Sequence, residues 1–345
     1  MPDPTPPTPA SSSRIAFVTG GTGFVGSHLV EELLRRGYAV RALVRDAPKW
    51  LEGLDVETVR GDLFDEEALR RGMDGATAVF HVAGLTRAPD YAALERANVT
   101  GTLNVLEAAA AQPTPPRVLV TSSLAAVGPS DRLPDGSGKP RIETALLRPI
   151  SDYGRSKAKM ERQIDAWQLE RGDALPLVVV RPPAVYGPRE ADIFTIFKTA
   201  ARGLFPIVGD GRKPQLSLVH VRDLVRGMVD ALEADAAVGE TYFIGSTRGY
   251  SWNEVRDAAL QALGTRALRV NVPKPFVGPI GAVSELAGRV TGSYPPLNRE
   301  KAREAKEAWV CSPAKAARDF GYRQEVPLGE GMAETMAWYR EHGWL

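Results

Sequence analysis

Apolar residues in the first half of the chain fall in short continuous runs, and most runs are followed by a segment with a helical pattern. The runs are "IAFVTG", "AVRALV", "VETVRGD", "ATAVFHVAG", "RVLVTSS" and "LPLVVVRPP". The helical segments are 27–36, 66–73, 92–111 and 151–172. Strands that are apolar almost throughout are typical of a sheet that is buried on both faces. Their alternation with helices along the chain predicts a parallel, doubly wound α/β sheet.

Beyond Pro182 this pattern loosens, because proline and glycine become frequent and helical segments dominate. The strand-like stretch "TYFIG" at 241–245 is an exception, and we expect it to rejoin the sheet. The pattern predicts a Rossmann core with a smaller, mostly helical substrate-binding lobe and a cleft between them. The predicted core is 14–181 with 213–245 returning to it, and the predicted lobe is 182–212 and 246–345.

The first 13 residues, "MPDPTPPTPASSS", are rich in proline, threonine and serine and predict a disordered tail. They lack the basic and apolar regions of a secretory signal. A net charge of +1 gives no field that favours nucleic acid or an anionic membrane. No apolar run approaches the ~18 residues that span a bilayer, and a single cysteine, Cys311, excludes an internal disulfide. These features favour a cytoplasmic protein.

Three glycines, Gly20, Gly23 and Gly26, lie between the first strand and the first helix in "VTGGTGFVGSHLV". Glycines allow a tight turn and a close approach of the backbone to a ligand, and the N-terminus of the following helix favours an anion. The alternative is a tight turn with no ligand. We predict that the glycines, with Phe24 and Val25 between them, bind the pyrophosphate of a dinucleotide.

The spacing T-G-x-x-G-x-x-G resembles the extended short-chain dehydrogenase/reductase family, also called the NAD-dependent epimerase/dehydratase family. The motifs "RGDLFD", "FHVAG", "NVTGTLNVLEAA", "RPPAVYGP" and "LVHVRDLVRG" follow in the family's order. The C-terminal segment "AWYREHGWL" is similar to 3β-hydroxysteroid dehydrogenase-like and dihydroflavonol reductase-like members. The resemblance implies a Rossmann fold and a homodimer that pairs through the helices near 92–111 and 153–170.

Tyr153 and Lys157 form a Y-x-x-x-K motif, and Ser123 ends the strand "RVLVTSS". The resemblance implies that the tyrosine is the general acid/base, that the lysine holds the ribose and lowers the tyrosine pKa, and that the serine orients the substrate oxygen. An ammonium at about 4 Å lowers the pKa of a tyrosine by roughly 3 units before desolvation is subtracted. We therefore expect the pKa of Tyr153 to move towards neutrality. Ser122 remains an alternative to Ser123.

The end of the second strand indicates which dinucleotide binds. Val44 stands where members that prefer NAD carry an aspartate, and Arg45 follows it. A guanidinium pairs well with a 2′-phosphate, which favours NADP(H), and Lys49 adds a second charge. Asp46 lies one position further on, where its carboxylate could still reach the ribose 2′-hydroxyl, so NAD(H) stays an alternative.

The resemblance assigns five further residues to the cofactor. Asp62 is expected at the adenine amino group, and its alternative role is that of N-cap for "EEALRR". Ala83 ends the next strand, where a small side chain lets the backbone approach the cofactor. Leu63, Pro182 and Val185 complete the expected contacts. No His, Cys or carboxylate cluster has metal-ligand spacing, so no metal site is expected.

Two positions separate the possible reactions. Nucleotide-sugar members often carry an asparagine where Ala184 stands and an arginine where Leu216 stands, whereas Arg212 and Lys213 lie close enough in sequence to compensate. We therefore favour an NADP(H)-dependent oxidoreductase that interconverts a secondary alcohol and a ketone on an apolar steroid-, flavonoid- or keto-acyl-like molecule. The alternatives are a nucleotide-sugar epimerase or dehydratase with tightly bound NAD, and a non-catalytic NADP-binding regulator.

Overall fold

A computed structural model describes residues 14–172, 174–291 and 299–345. The tail predicted over residues 1–13 lies outside the described residues.

Strands alternate with helices along most of the described chain. The strands are β1 Ile15–Thr19, β2 Ala39–Val44, β3 Val56–Arg60, β4 Ala78–His81, β5 Arg117–Thr121, β6 Leu177–Arg181, β7 Ala184–Tyr186, β8 Leu204–Val208, β9 Gln215–Leu216, β10 Leu218–His220, β11 Thr241–Phe243, β12 Tyr250–Ser251 and β13 Leu268–Val272. The helices are α1 Phe24–Arg35, α2 Glu66–Met73, α3 Tyr91–Glu95, α4 Gly101–Ala110, α5 Leu124–Val127, α6 Asp152–Glu170, α7 Phe194–Ala201, α8 Val221–Glu233, α9 Trp252–Leu263, α10 Lys274–Thr291, α11 Arg299–Glu304, α12 Ala314–Phe320 and α13 Leu328–Glu341.

A seven-stranded sheet forms the centre of the molecule, in the order β11-β6-β5-β4-β1-β2-β3. Every pair is parallel. One face packs against α1 and α8, and the other packs against α2, α4 and α6. The predicted doubly wound Rossmann-type fold is confirmed, and burial on both faces explains why the strand sequences are apolar almost throughout.

Two helix predictions differ from the structure in detail. The first helix begins at Phe24 rather than Ser27, because Gly23 is the N-cap and the Ser27 amide donates to the Gly23 carbonyl at 3.0 Å. The helix predicted over 92–111 is α3 and α4 joined by a π-helical turn at Arg96–Thr100. That wider turn carries Asn98, which is buried and faces the end of β4.

The C-terminal part contains short strands in pairs rather than helices alone. β7 pairs with β10, β8 pairs with β13, and β9 pairs with β12. α7, α9 and α13 pack on a separate core around Phe197, Phe205 and Tyr339. The segment "TYFIG" contains β11, which pairs with β6 and so extends the central sheet. Over the ranges that the structure describes, none of the helices combines the length and the apolar character needed to cross a membrane.

Candidate active site

The turn between β1 and α1 leaves no space for side chains at two of its glycines. Gly20 has a φ of +78°, and a Cβ added there would lie 2.6 Å from the amide nitrogen of Ala83. A Cβ on Gly26 would lie 2.1 Å from the carbonyl oxygen of Gly20. The backbone at the ends of β1 and β4 and at the start of α1 is therefore closely packed. A side chain at Gly20 or Gly26 would push these segments apart.

The start of α1 has the features of an anion site. Its N-cap, Gly23, has no side chain that could cap the first turn, and that turn contains no acidic residue. The first amides of a helix have no helical partners and carry the positive end of the helix dipole. The space over Gly23 is open, since a Cβ there would meet only the Gly20 carbonyl oxygen, at 3.3 Å. This cradle fits a pyrophosphate group.

Arg45 and Asp62 lie at the ends of neighbouring strands beside this cradle. The Gly61 amide donates to the Val44 carbonyl at 3.2 Å, which places the two strand ends side by side. Arg45 is exposed. Asp62 uses Oδ1 to accept the Phe64 amide at 2.7 Å. Asp62 is therefore not the N-cap of α2.

The N-cap of α2 is Asp65, whose Oδ1 accepts the Ala68 amide at 3.0 Å. Leu63 packs its side chain towards Gly101, and its carbonyl accepts the Asn104 amide group at 2.9 Å. The structure thus places Leu63 next to Asp62 in the chain and ties it to α4.

The remaining predicted cofactor residues lie near the glycine turn or near Ser123. Phe24, Val25 and Val185 pack against the same apolar cluster beside α1. The Pro182 carbonyl accepts the Leu124 amide at 2.9 Å, directly after Ser123. These four side chains come from three separate segments that the fold brings to one edge of the sheet.

A buried hydrogen-bond chain lies beneath the glycine turn and was not anticipated from the sequence. His81 Nδ1 lies 2.7 Å from the Thr19 hydroxyl, and His81 Nε2 lies 2.8 Å from the Thr102 hydroxyl. Thr102 donates its proton to the Asn98 carbonyl at 2.7 Å, so His81 donates from Nε2 and accepts from Thr19 at Nδ1. Thr19 in turn accepts the Ala83 amide at 3.4 Å.

Burial lowers the pKa of His81 to about 3, with a further lowering from the Lys157 charge, so the ring is neutral as this chain requires. The hydrogen-bond chain through His81 links the end of β1 to the end of β4. Its signal in the sequence is a histidine within the otherwise apolar strand "AVFH".

Ser123, Tyr153 and Lys157 come together at the carboxyl end of β5. Ser123 is the N-cap of α5, where its Oγ accepts the Ala125 amide at 3.1 Å, and its side chain lies close enough to Tyr153 to act on the pKa of that hydroxyl. Lys157 lies one helical turn after Tyr153, and its Nζ donates to the Thr121 carbonyl at 2.7 Å. The predicted catalytic residues therefore form one cluster beside the glycine turn.

The protonation of this cluster differs from the sequence prediction. Burial raises the pKa of Tyr153; the Ser123 side chain opposes this rise and the Glu304 charge adds to it. Burial lowers the pKa of Lys157 to about 8, and the Glu161 charge opposes that change. The expected lowering of the Tyr153 pKa by Lys157 is absent, because Nζ is directed to the Thr121 carbonyl and desolvation dominates. Tyr153 therefore keeps its proton at neutral pH.

Ser122 is hydrogen-bonded to a buried glutamate, away from Tyr153, and so does not take the place of Ser123. Its hydroxyl donates to Glu161, and the Glu161 carboxylate also binds the Arg181 guanidinium, with a shortest distance of 2.6 Å from Nη2 to Oε2. All three side chains are buried. The cluster is a satisfied charge pair beneath β5 rather than part of the cleft.

A helix from the C-terminal part lies over the start of α6. Glu300 of α11 accepts the Asp152 amide at 2.8 Å, immediately before Tyr153. Glu304, one turn further along, is close enough to raise the pKa of Tyr153. In the sequence "REKARE" is only a charged helical stretch, with no sign that it contacts a residue about 150 positions earlier. Within the described residues, no group of His, Cys, Asp and Glu side chains could hold a metal ion.

The chain is similar to a known protein family, to curated relatives and to solved structures. Residues 16–245 match the NAD dependent epimerase/dehydratase family. The chain is 32% identical over 336 residues to a ceramide reductase of Caulobacter vibrioides, covering 96% of each chain. It is 29% identical to a 2-alkyl-3-oxoalkanoate reductase of Stenotrophomonas maltophilia, covering 93% of this chain and 98% of the relative. The solved UDP-glucose 4-epimerase of Thermus thermophilus in complex with NAD superposes with a TM-score of 0.74 at 26% identity, covering 94% of this chain and 99% of the other.

Proposed function

The chain belongs to the NAD-dependent epimerase/dehydratase family, and from that premise we propose that it is an NADP(H)-dependent reductase of an apolar ketone. The coarser assignment, an NAD(P)-dependent oxidoreductase, rests on the family and on its reductase-named relatives. The observation that carries the finer proposal is the placement of Ser123 beside Tyr153, whose buried hydroxyl keeps its proton, next to the glycine cradle.

In this proposal the side chains act on the carbonyl oxygen of the substrate. When bound at the cradle, a nicotinamide cofactor would be the source of the hydride for the carbonyl carbon. Ser123 and Tyr153 both donate hydrogen bonds to the oxygen, which stabilises the negative charge that develops there. Tyr153 then transfers its proton to that oxygen. A tyrosine whose pKa is raised by burial carries the proton needed for reduction, so the direction of its pKa favours ketone reduction.

The residues of the cradle would hold the cofactor. The amides that follow Gly23 suit the pyrophosphate, and Asp62 lies at the strand end expected for the adenine. Arg45 is exposed at the neighbouring strand end, where its guanidinium suits a 2′-phosphate. Calorimetry should give tighter binding of NADPH than of NADH, and Arg45→Asp should reverse or abolish that preference. Equal or tighter binding of NADH by the unaltered protein would contradict the NADP(H) assignment.

The substrate side of the cleft favours an apolar molecule. Ala184 offers a methyl group and Leu216 an isobutyl group where a sugar diphosphate would need donors. Lys213 does not compensate, because its Nζ pairs with Asp135 at 3.2 Å. Two relatives are named as a ceramide reductase and a 2-alkyl-3-oxoalkanoate reductase. We therefore propose a keto-acyl-like substrate with an alkyl chain.

A screen of NADPH oxidation tests the proposal, with β-keto acyl compounds, steroid ketones, flavonoid ketones and nucleotide sugars as substrates. We expect turnover on apolar ketones only. Tyr153→Phe should lower turnover by about 10²-fold or more while NADPH binding, followed by fluorescence, is retained. Near-normal turnover by this variant would reject the role of Tyr153. Sugar epimerisation without net use of added cofactor would support the epimerase alternative, and binding without any turnover would support the regulator alternative.

We also propose a two-fold homodimer that pairs through α4 and α6, which lie on the same face of the sheet. Light scattering should then give twice the mass of 37.3 kDa. A monomer mass at micromolar concentration would contradict this pairing.

A further inference from the structure

One surface far from the glycine turn exposes large apolar side chains on a two-stranded sheet. In the parallel pair β8 and β13, Leu204 lies opposite Leu268 and Pro206 lies opposite Val270. Because side chains alternate along a strand, these four residues share one face. Leu268 is 70% exposed and Leu204 is 46% exposed. The face is thus apolar and open to solvent.

The following helix extends this surface. α10 begins two residues after β13, and Phe276 and Ile280 lie one turn apart on it, 60% and 44% exposed. Val277 between them is buried, so α10 packs by one side and presents Phe276 and Ile280 on another. We call the set Leu204, Leu268, Val270, Phe276 and Ile280 the apolar face. These five are among the twelve large apolar side chains that are exposed in the described ranges.

Basic residues outnumber acidic residues around the apolar face; Asp210 directly follows the first of its two segments, and Glu307 lines a cavity beside α10. The segments 193–209 and 264–282, which contain it, carry five basic residues and no acidic residue. The basic residues are Lys198, Arg202, Arg266, Arg269 and Lys274. The net charge of the whole chain is only +1, so overall composition conceals this local excess. The excess also disfavours a second copy of the chain as the occupant, since two such faces would repel each other.

We propose that the apolar face docks on the surface of an anionic phospholipid bilayer. Phe276, Ile280 and Leu268 would enter the boundary between headgroups and acyl chains, while the surrounding lysines and arginines lie at the level of the phosphates. Exposed apolar side chains flanked by cations are the combination that interfacial membrane binding requires. The protein would lie on the bilayer without crossing it.

A cavity lies beside this surface, between α10 and α11. It has a volume of about 360 Å³, and its lining combines Gly278, Pro279, Ala282 and Ala302 with the charged residues Arg299, Arg303, Lys306 and Glu307. α11 in turn contacts the start of α6 through Glu300 and Asp152. The proposed function concerns a reaction at the carboxyl end of β5. Membrane docking itself does not depend on that reaction.

Sedimentation of the full-length protein with vesicles tests the docking, without cofactor or substrate. Vesicles of phosphatidylcholine with phosphatidylglycerol should bind the protein, and binding should weaken as salt is added. Vesicles of phosphatidylcholine alone should bind it far less. Because the readout is binding rather than turnover, failure here leaves the proposed reductase untouched, and failure of the reductase screen leaves the docking untouched.

Surface variants make the test specific. Phe276→Ser combined with Ile280→Ser should lower the partition coefficient about tenfold or more. Arg266→Gln combined with Lys274→Gln should lower it roughly 25-fold, at about fivefold per cation. The matched controls are Leu169→Ser and Arg70→Gln, exposed residues on α6 and α2. All variants change exposed side chains, and circular dichroism verifies that they fold.

Two results would overturn the proposal. The first is equal binding to neutral and anionic vesicles, or an equal loss of binding in the variants of the apolar face and in the control variants. The second is concentration-dependent self-association that Phe276→Ser with Ile280→Ser abolishes, since this would assign the apolar face to a second copy of the chain.

Discussion

The central sheet and the C-terminal part of this protein are built in different ways. Strands of the sheet pair over three to five residues each and are covered by helices on both faces. In the C-terminal part, β8 and β13 leave one face open to solvent. Rigid packing holds backbone atoms near Gly20 and Gly26 at contact distance. The comparison indicates that the sheet fixes the positions of the candidate site residues, whereas the C-terminal part leaves an apolar surface open to solvent.

The same contrast holds for two buried histidines. His81, under the sheet edge, has a hydrogen-bond partner on each ring nitrogen. His220, at the start of α8, has no hydrogen-bond partner on Nε2 in the described structure. Burial lowers the pKa of each to about 3. The ring of His81 is thus more completely hydrogen-bonded than the ring of His220.

The largest expected effect is on stability in acid. The ordinary pKa of histidine is 6.5, and in the folded protein it is about 3 at both positions. Between these values the unfolded chain binds protons that the folded protein does not, so stability falls as pH decreases from 6.5 towards 3. Each histidine contributes up to about 4 kcal/mol to this loss. Urea unfolding across the range measures it.

Substitution of each histidine by leucine sharpens the contrast. His81→Leu leaves the Thr19 and Thr102 hydroxyls each short of a partner, which costs roughly 1–3 kcal/mol apiece at neutral pH. His220→Leu removes a ring that already lacks one partner and should cost less. Both variants should show a weaker acid dependence than the unaltered protein. A greater loss in His220→Leu would contradict the difference between the two regions.

The next effect concerns the adjacent serines, which face different surroundings. Ser123→Ala should lower kcat about 10²-fold, because a donor to the developing oxyanion is lost. Ser122→Ala should leave kcat close to normal and lower the free energy of unfolding by roughly 1–3 kcal/mol, because buried Glu161 loses a donor. Steady-state kinetics and urea unfolding on both variants measure these effects. If kcat fell in Ser122→Ala and not in Ser123→Ala, Ser122 rather than Ser123 would be the donor to the substrate oxygen.

A smaller effect of opposite sign is expected at Lys157. Below a pH of about 8 its amine is charged in both the folded and unfolded states, so the folded protein bears the full cost of burying it. Lys157→Met should therefore raise the free energy of unfolding by up to about 3 kcal/mol at neutral pH while abolishing turnover. The gain should disappear as pH rises through 8 towards 10.5. Lys159→Met, a half-buried lysine paired with Glu95, is the control, and an equal gain there would reject the explanation by burial.

The smallest effect tests the contact between the two regions. Glu304 raises the pKa of Tyr153, so Glu304→Gln should lower that pKa. The pH profile of alcohol oxidation should then move to lower pH, with kcat at high pH unchanged. Glu307→Gln, three residues further on and paired with Arg132, is the control. An unchanged profile in Glu304→Gln would show that α11 does not influence the tyrosine.

The amino-acid sequence alone determined that the strands form a parallel sheet and that a glycine turn follows the first strand. Continuous apolar runs and the spacing of Gly20, Gly23 and Gly26 are local features, and a parallel sheet brings the ends of its strands to one edge. Ser123, Tyr153 and Lys157 were selected together by the resemblance to the family, and that geometry is consistent with the choice because Ser123 ends a parallel strand. The start of α1 and the π-helical turn were less predictable, because caps and turn widths depend on contacts outside the segment.

Tertiary structure alone decided which groups are buried and what they meet. Burial turned the expected decrease of the Tyr153 pKa into an increase, and it committed Ser122 to Glu161. The approach of α11 to Tyr153 and the apolar face on β8, β13 and α10 depend on residues far apart in the chain. Desolvation and long-range contact are properties of the packed molecule, so no local pattern of residues encodes them.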